Sequence, residues 1–197
     1  MLELPNVTVI CVDCIETRRA LKSINLTIKD INFGDVKFLT SLQVEQPIDR
    51  IKIIPIPIIR SKIEYSCFII KELYKYIETS HVLIVQWDAY VINPQAWTNE
   101  FLEYDYIGAP WHFRTDFKVG NGGFSLRSKK LLELTATLPE IIRTHPEDDT
   151  VCIIYRQLLI NNGIKFAPID LAYKFAVENE IHTGQFGYHG GASPKKV

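Results

Sequence analysis

Gly120-Asn121-Gly122-Gly123-Phe124-Ser125-Leu126-Arg127-Ser128 is followed about twenty residues later by Pro146-Glu147-Asp148-Asp149. These two runs hold residue types that could do chemistry together. A cluster of glycines lets backbone approach a ligand closely and adopt positive φ. The Phe-Ser-Leu-Arg-Ser that follows reads as a short strand running into a helix start. Three acids beside one proline crowd like charges unless solvent, a metal or a substrate uses them. Joined by a helix, a tight turn and an acidic cluster suit a site that grips a polar ligand and takes a proton from it. Both runs also have plainer readings. The turn could close a hairpin. Acids at a helix start complement its positive dipole end, so capping accounts for one or two of the three. His145-Pro146 fits a rigid approach to that helix.

The elements that must position these residues are legible in outline. Residues 7–12 form a β-branched, buried-strand pattern that stops at Asp13. Residues 16–28 read as a helix with Ala20, Leu21, Ile24 and Ile28 on one stripe. Short strands are predicted at 36–39 and 51–54, joined by a polar connection through Pro47. A helix over 63–77 and an all-apolar strand over 81–86 follow. The alternation of strands and helices predicts an α/β layered fold, a single domain over residues 1–197 with a mainly parallel central sheet flanked by helices. Ligands of such sheets bind beyond the carboxyl ends of the strands. That directs attention to Asp13 and to Gln86-Trp87-Asp88.

Asp88 would emerge at that edge, where its carboxylate suits a hard cation such as Mn²⁺ or Mg²⁺, or caps a turn. His189, among the glycines of Gly187-Tyr188-His189-Gly190-Gly191, could complete a metal shell as neutral imidazole or lie on the surface. The second half is less regular. It predicts helices at 97–104, 131–138 and 149–161, the last stopped by Asn162-Gly163. Strands are expected at 105–109 and 164–167, with a loop over 110–119. Trp87, Tyr90, Trp111 and Tyr188 could stack on sugars or pack in the core. The tail 192–197 is expected to be flexible.

Bulk properties narrow the classes. The 197 residues are 47% hydrophobic and 23% charged, with a net charge of −1 and a mean hydropathy near zero. Nothing pulls the chain as a whole toward nucleic acid or anionic membrane. Arg18-Arg19 and Lys129-Lys130 read as exposed helix faces. The start has no basic region of a signal peptide, and the apolar run 51–59 is short and holds Pro55 and Pro57. Cys11, Cys14, Cys67 and Cys152 fit reduced, buried thiols in a cytoplasmic protein. Cys11-Val12-Asp13-Cys14 has redox or half-zinc spacing, but no second pair accompanies it. Asn6-Val7-Thr8 and Asn25-Leu26-Thr27 match glycosylation acceptors, which carry no meaning without secretion.

Several runs taken in order carry a resemblance: Val82-Leu83-Ile84-Val85-Gln86-Trp87-Asp88, Asp105-Tyr106-Ile107-Gly108-Ala109-Pro110-Trp111, residues 120–128 and Pro146-Glu147-Asp148-Asp149. With Lys165-Phe166-Ala167-Pro168 and Phe186-Gly187-Tyr188-His189, they resemble a family described as a domain of unknown function and grouped with the GT-A glycosyltransferases. The likeness runs from about Val7 to Gly190. More distantly, the order resembles the Fringe and β1,3-galactosyltransferase group.

The resemblance implies a hexosyl-type, inverting transferase acting between a nucleotide-sugar donor and a glycan-type acceptor, aided by Mn²⁺ or Mg²⁺. It implies that Asp88 is the last position of an Asp-x-Asp metal motif and His189 the terminal metal ligand. Gln86 stands where the first aspartate belongs, so half the motif is kept. Gly122 and Gly123 would lie beside the donor sugar, and Asp13, Gln86 and Trp87 beside the nucleotide. Asp148 would be the catalytic base, Asp149 its neighbouring alternative and Glu147 an acceptor contact. A GT-A fold that binds nucleotide sugar or glycan without turnover is the alternative, as is an interaction domain with no small-molecule site.

Overall fold

The computed structural model of the chain describes residues 1–44 and 49–190. In chain order its strands are β1 (Leu2–Val12), β2 (Ile31–Thr40), β3 (Lys52–Pro55), β4 (His81–Val85), β5 (Ala89–Val91), β6 (Tyr106–Gly108), β7 (Phe124–Ser128), β8 (Ala176–Glu178) and β9 (Gly187–His189). The helices are α1 (Thr17–Ile28), α2 (Lys62–Lys71), α3 (Lys129–Thr137), α4 (Glu147–Asp149), α5 (Arg156–Asn161) and α6 (Ile169–Phe175).

Six strands make the central sheet, in the order β3-β2-β1-β4-β7-β6. Those from β1 to β4 pair in parallel, β7 runs antiparallel to β4, and β6 antiparallel to β7. Only β7 therefore opposes the common direction. The expected α/β layering holds, and the pleat divides the core as it must. Val7, Val9 and Cys11 of β1 face the layer holding Ala20, Ile24 and Ile28 of α1. Ile10 and Val12 face the opposite layer, with Phe68 and Ile69 of α2. β4 is buried throughout, as its unbroken apolar run requires. In β1 the pairing slips between Leu4 and Thr8, around Pro5, which has no N–H to donate. Pro55 sits on edge strand β3, where that loss is tolerated.

A second sheet, β5-β9-β8, stands beside the first. Rings of Trp97, Phe101, Phe124, Phe175 and Phe186, with centroids 5.1–6.3 Å apart, lock it to β7.

Several elements differ from the sequence expectation. The helix predicted over 63–77 is α2 followed by a 3₁₀ turn, Leu73–Tyr76. The helix expected at 97–104 is two 3₁₀ turns, Pro94–Ala96 and Asn99–Glu103. The predicted 149–161 helix is broken into α4, a π-helical stretch Thr150–Ile154 and α5. There the N–H and hydroxyl of Thr150 both bond Pro146 O (2.9 and 2.7 Å), and Tyr155 N–H reaches back to Thr150 O. β-Branched Thr150, Val151, Ile153 and Ile154 favour no regular helix here. Of the strand predicted at 164–167, one bridge between Phe166 and Tyr106 remains.

All four cysteines are free, but Cys67 is exposed and Cys14 half-buried. Cys11 belongs to the core, where burial pushes its thiol far up. Pro47 and the tail 192–197 lie outside the described residues. Among those described, no helix is long and apolar enough to cross a membrane.

Candidate active site

Strand direction decides where a site can form. β1 and β4 end at one edge of the sheet, so Asp13 and Gln86-Trp87-Asp88 leave it together. Because β7 runs the other way, the turn that precedes it lies at that same edge. Val85 pairs with Phe124, and Gln86 N–H donates to Gly123 O at 2.9 Å. A cleft of about 610 Å³ opens there. Asp13, Gln86, Trp87, Gly122, Gly123, Glu147, Asp148 and His189 all line it. Asp88 does not line it but stands beside His189, and Asp149 turns to Arg114 at 3.3 Å.

Within the turn, the left-handed conformation belongs to Asn121 (φ 69°) and not to Gly120, Gly122 or Gly123. Asn121 Oδ1 accepts the N–H groups of Gly123 and Phe124 at 2.9 and 3.1 Å. Its backbone O accepts from buried Tyr106 Oη at 3.0 Å. The two neighbouring glycines serve close approach. A Cβ on Gly122 would meet Glu147 Oε1 at 1.7 Å, and one on Gly123 would meet His189 Nε2 at 2.2 Å.

Glu147 is itself buried, 2.7 Å from the fully buried guanidinium of Arg127. The approach is close but not aligned as a hydrogen bond, so Glu147 Oε2 and both terminal nitrogens of Arg127 lack one. Arg127 also stands over the Tyr106 ring and donates from Nε to Ser125 Oγ. Burial lifts the Glu147 carboxyl, with Arg127 opposing. Burial alone would weaken the Arg127 cation, but Glu147 outweighs it and keeps the guanidinium charged. The sequence marks neither Arg127 as Glu147's partner nor the pair as a brace under the turn. Alternation along a fully buried strand gives no hint that an arginine lies inside.

His189 occupies the middle strand of the small sheet, paired with Ala89 on one side and Glu178 on the other. That register sets Asp88 Oδ1 3.5 Å from His189 Nε2 and Glu178 Oε1 3.2 Å from Nδ1. Asn121 Nδ2 also lies 3.0 Å from Nδ1. Burial pushes the imidazole down, but Asp88 and Glu178 outweigh it and raise it to about 9. Asp88 Oδ1 is buried without a hydrogen bond. The sequence does not mark Glu178, since nothing in Ala176-Val177-Glu178 signals a partner eleven residues away.

Gln86 turns from this cluster and donates to Tyr65 Oη at 3.2 Å. Trp87 is 43% exposed at the cleft, with the Arg19 guanidinium 5.0 Å over its ring. Trp111 and Tyr188, by contrast, are buried. Asp13 Oδ1 accepts the N–H groups of Ile15 and Glu16 at 2.7 and 2.9 Å, holding the turn before α1. Asp148 is half-buried, and its Oδ1 accepts the N–H of Asp149 at 2.9 Å. His145, 2.9 Å from Ser66 Oγ through Nδ1, lines the cleft beside Asp148.

A family profile, "Protein of unknown function (DUF5672)", matches residues 50–189. The chain belongs to this family. No curated protein matches it. Among solved structures, an active-site mutant of LgtC is similar at 11% identity and TM-score 0.55, covering 95% of this chain and 88% of that one. A glycosyltransferase involved in glycosylating the major capsid of PBCV-1 is similar at 16% identity and TM-score 0.52, covering 93% and 91%. The mannosyltransferase PcManGT from Pyrobaculum calidifontis, in complex with GDP-Man and Mn²⁺, is similar at 14% identity and TM-score 0.52, covering 98% and 59%. The DUF5672 chain thus shares the fold of GT-A glycosyltransferases.

Proposed function

We propose that this chain is a glycosyltransferase that moves a hexosyl group from a nucleotide sugar to a hydroxyl of a glycan-type acceptor, inverting the anomeric centre. The observation that supports it most is convergence. Asp148, His189, the glycine turn and the ends of β1 and β4 are far apart in sequence and line one cleft.

Asp148 acts as base, one oxygen fixed by the Asp149 N–H and the other left for an acceptor hydroxyl. The acceptor oxygen attacks the anomeric carbon, its proton passes to Asp148, and the departing electron pair leaves with the diphosphate. Asp13 and Trp87 lie where a nucleotide would enter, and the backbone at Gly122 and Gly123 borders the sugar. Glu147, bound to Arg127, is placed to hold that backbone in position rather than to touch the acceptor. Asp149, paired with Arg114, steadies the acceptor wall. Direct attack by the acceptor inverts the anomeric centre, and one carboxylate on the acceptor side, Asp148, suffices for it. Four unpaired cysteines support a cytoplasmic setting.

The residues present fit a divalent cation with few protein ligands. Asp88 has an orphaned buried oxygen facing His189, and with the imidazole's proton released on binding the two would make an oxygen–nitrogen set that suits Mn²⁺ or Mg²⁺ when phosphate and water supply the rest. Asp88 and His189 would hold it. Such an ion neutralises charge on the leaving diphosphate. Among the described residues, no group of three or more His, Cys, Asp or Glu side chains is arranged to hold a metal by itself.

A nucleotide-sugar screen by thermal stabilisation, with and without Mn²⁺, tests the reading, since a specific ligand raises apparent stability by mass action. At least one donor should stabilise the wild type, and Asp88→Ala should lose the Mn²⁺-dependent part. A chain that no donor stabilises contradicts it. A binding module without turnover is the second reading, favoured by the neutral Gln86; there donors stabilise the protein but acceptors release no nucleoside diphosphate.

A further inference from the structure

Arg60 and Lys62 line the cleft from the approach to α2. Both are exposed, and neither side chain has an ion pair or hydrogen bond among the described residues. The helix does not need them. Ser61 Oγ accepts the Glu64 N–H at 3.1 Å, and Glu64 Oε2 accepts the Arg60 N–H at 2.6 Å, so the first turn is capped without either cation. Positive charge here opposes the helix dipole, so the fold gains nothing from two cations at this end.

Of the other charged side chains that line the cleft, Asp148 keeps one oxygen open for the acceptor and the rest are committed. Asp13 holds the turn before α1, Glu147 is matched by Arg127, and Glu178 by His189. Gln86, where an aspartate would help anchor a cation, is neutral and bonded to Tyr65. The cleft therefore carries two unmatched cations, and the neutral Gln86 adds no negative charge to offset them.

Taking this cleft as the donor site of the transferase proposed above, we propose that Arg60 and Lys62 clamp the diphosphate of the nucleotide sugar. The guanidinium offers a planar fork of donors to phosphate oxygens, and the ammonium a mobile point charge. As the bond from the anomeric carbon to the phosphate oxygen breaks, the electron pair stays on the diphosphate. The two cations stabilise that growing charge while the acceptor's proton goes to Asp148. They share the role with any bound divalent ion, so diphosphate recognition persists in part when that ion is removed.

Calorimetry of the full chain tests this with UDP, GDP, the matching nucleosides and inorganic pyrophosphate, each in MnCl₂ and in EDTA. The wild type should bind one of the two diphosphates in both conditions. The Arg60→Ala/Lys62→Ala double variant should lose roughly tenfold or more of that affinity, in EDTA as in Mn²⁺, with nucleoside affinity unchanged. Arg60→Lys/Lys62→Arg should retain most of it. The double variant should unfold at the wild-type temperature or slightly above, which a structural role does not predict. Pyrophosphate binding that falls in parallel assigns the clamp to the phosphates themselves. Unchanged diphosphate affinity in the double variant, or an equal loss for the nucleoside, overturns the clamp and leaves the transferase reading standing. Failure of the wild type to bind either diphosphate in both conditions overturns the transferase reading and the clamp with it.

Discussion

Arg127 and Glu147 set the terms at the residue scale. A buried ion pair is a poor source of stability, but breaking one side leaves an uncompensated charge in the interior. Arg127→Met or Glu147→Gln alone should therefore cost about 3–5 kcal/mol. The double variant should cost clearly less than the sum, since the two groups act on each other. Urea unfolding of the four proteins closes this cycle; additive losses would mean that the pair is not a unit. Each single change should also disturb the turn 120–123, because Glu147 Oε1 packs on the Gly122 α-carbon. His189 holds the equivalent place on Gly123. Gly123→Ala should cost about 1–3 kcal/mol through overpacking and, in calorimetry, abolish Mn²⁺-dependent nucleotide binding. Unchanged binding would remove the His189 side of the turn from the site.

At the scale of elements, the parallel strands were the most legible part of the chain. The apolar runs ending at Val12 and Val85 need cover on both faces, and α1 and α2 supply it. Both strand ends could thus be named as site edges in advance. Apart from the nine-residue α3, the second half resisted because its elements are three to seven residues long or irregular, and are held by tertiary contacts rather than by periodicity. Phe175 and Phe186 join the aromatic cluster from segments with no repeating pattern. The small sheet brings Glu178 to His189 through pairing that no local signal encodes. Residue type marks Gly122 and Gly123, but the positive φ sits on Asn121 and the glycines make room for side chains.

The join of β2 to β3 carries a pH signature of its own. Burial would raise the Asp35 carboxyl, but hydrogen bonds from Lys52, Lys37 and the Val36 N–H outweigh it and hold it below its usual 3.8. A carboxylate depressed in the folded state adds stability that is whole above its unfolded value and disappears as pH falls through the folded one. Wild type should exceed Asp35→Asn in urea stability by a constant margin above about pH 5, shrinking below about pH 4. A margin that stays flat down to pH 2 contradicts that linkage.

For the whole molecule, topology does the assembling. One antiparallel strand, β7, turns the glycine segment back to the edge where the parallel strands end, and the small sheet delivers His189 to the same place. Asp148 and His189 line the cleft so formed, with Asp88 beside His189. The proposed transfer needs one group to take the acceptor's proton, while donor binding needs the rest. The most direct test is acceptor-dependent release of nucleoside diphosphate from whichever nucleotide sugar stabilises the protein, compared between wild type and Asp148→Asn. The expected result is a release rate about 10²–10⁴-fold lower in the variant, with donor affinity retained. Release at the wild-type rate from Asp148→Asn, or no release from the wild type with any acceptor, would contradict the account.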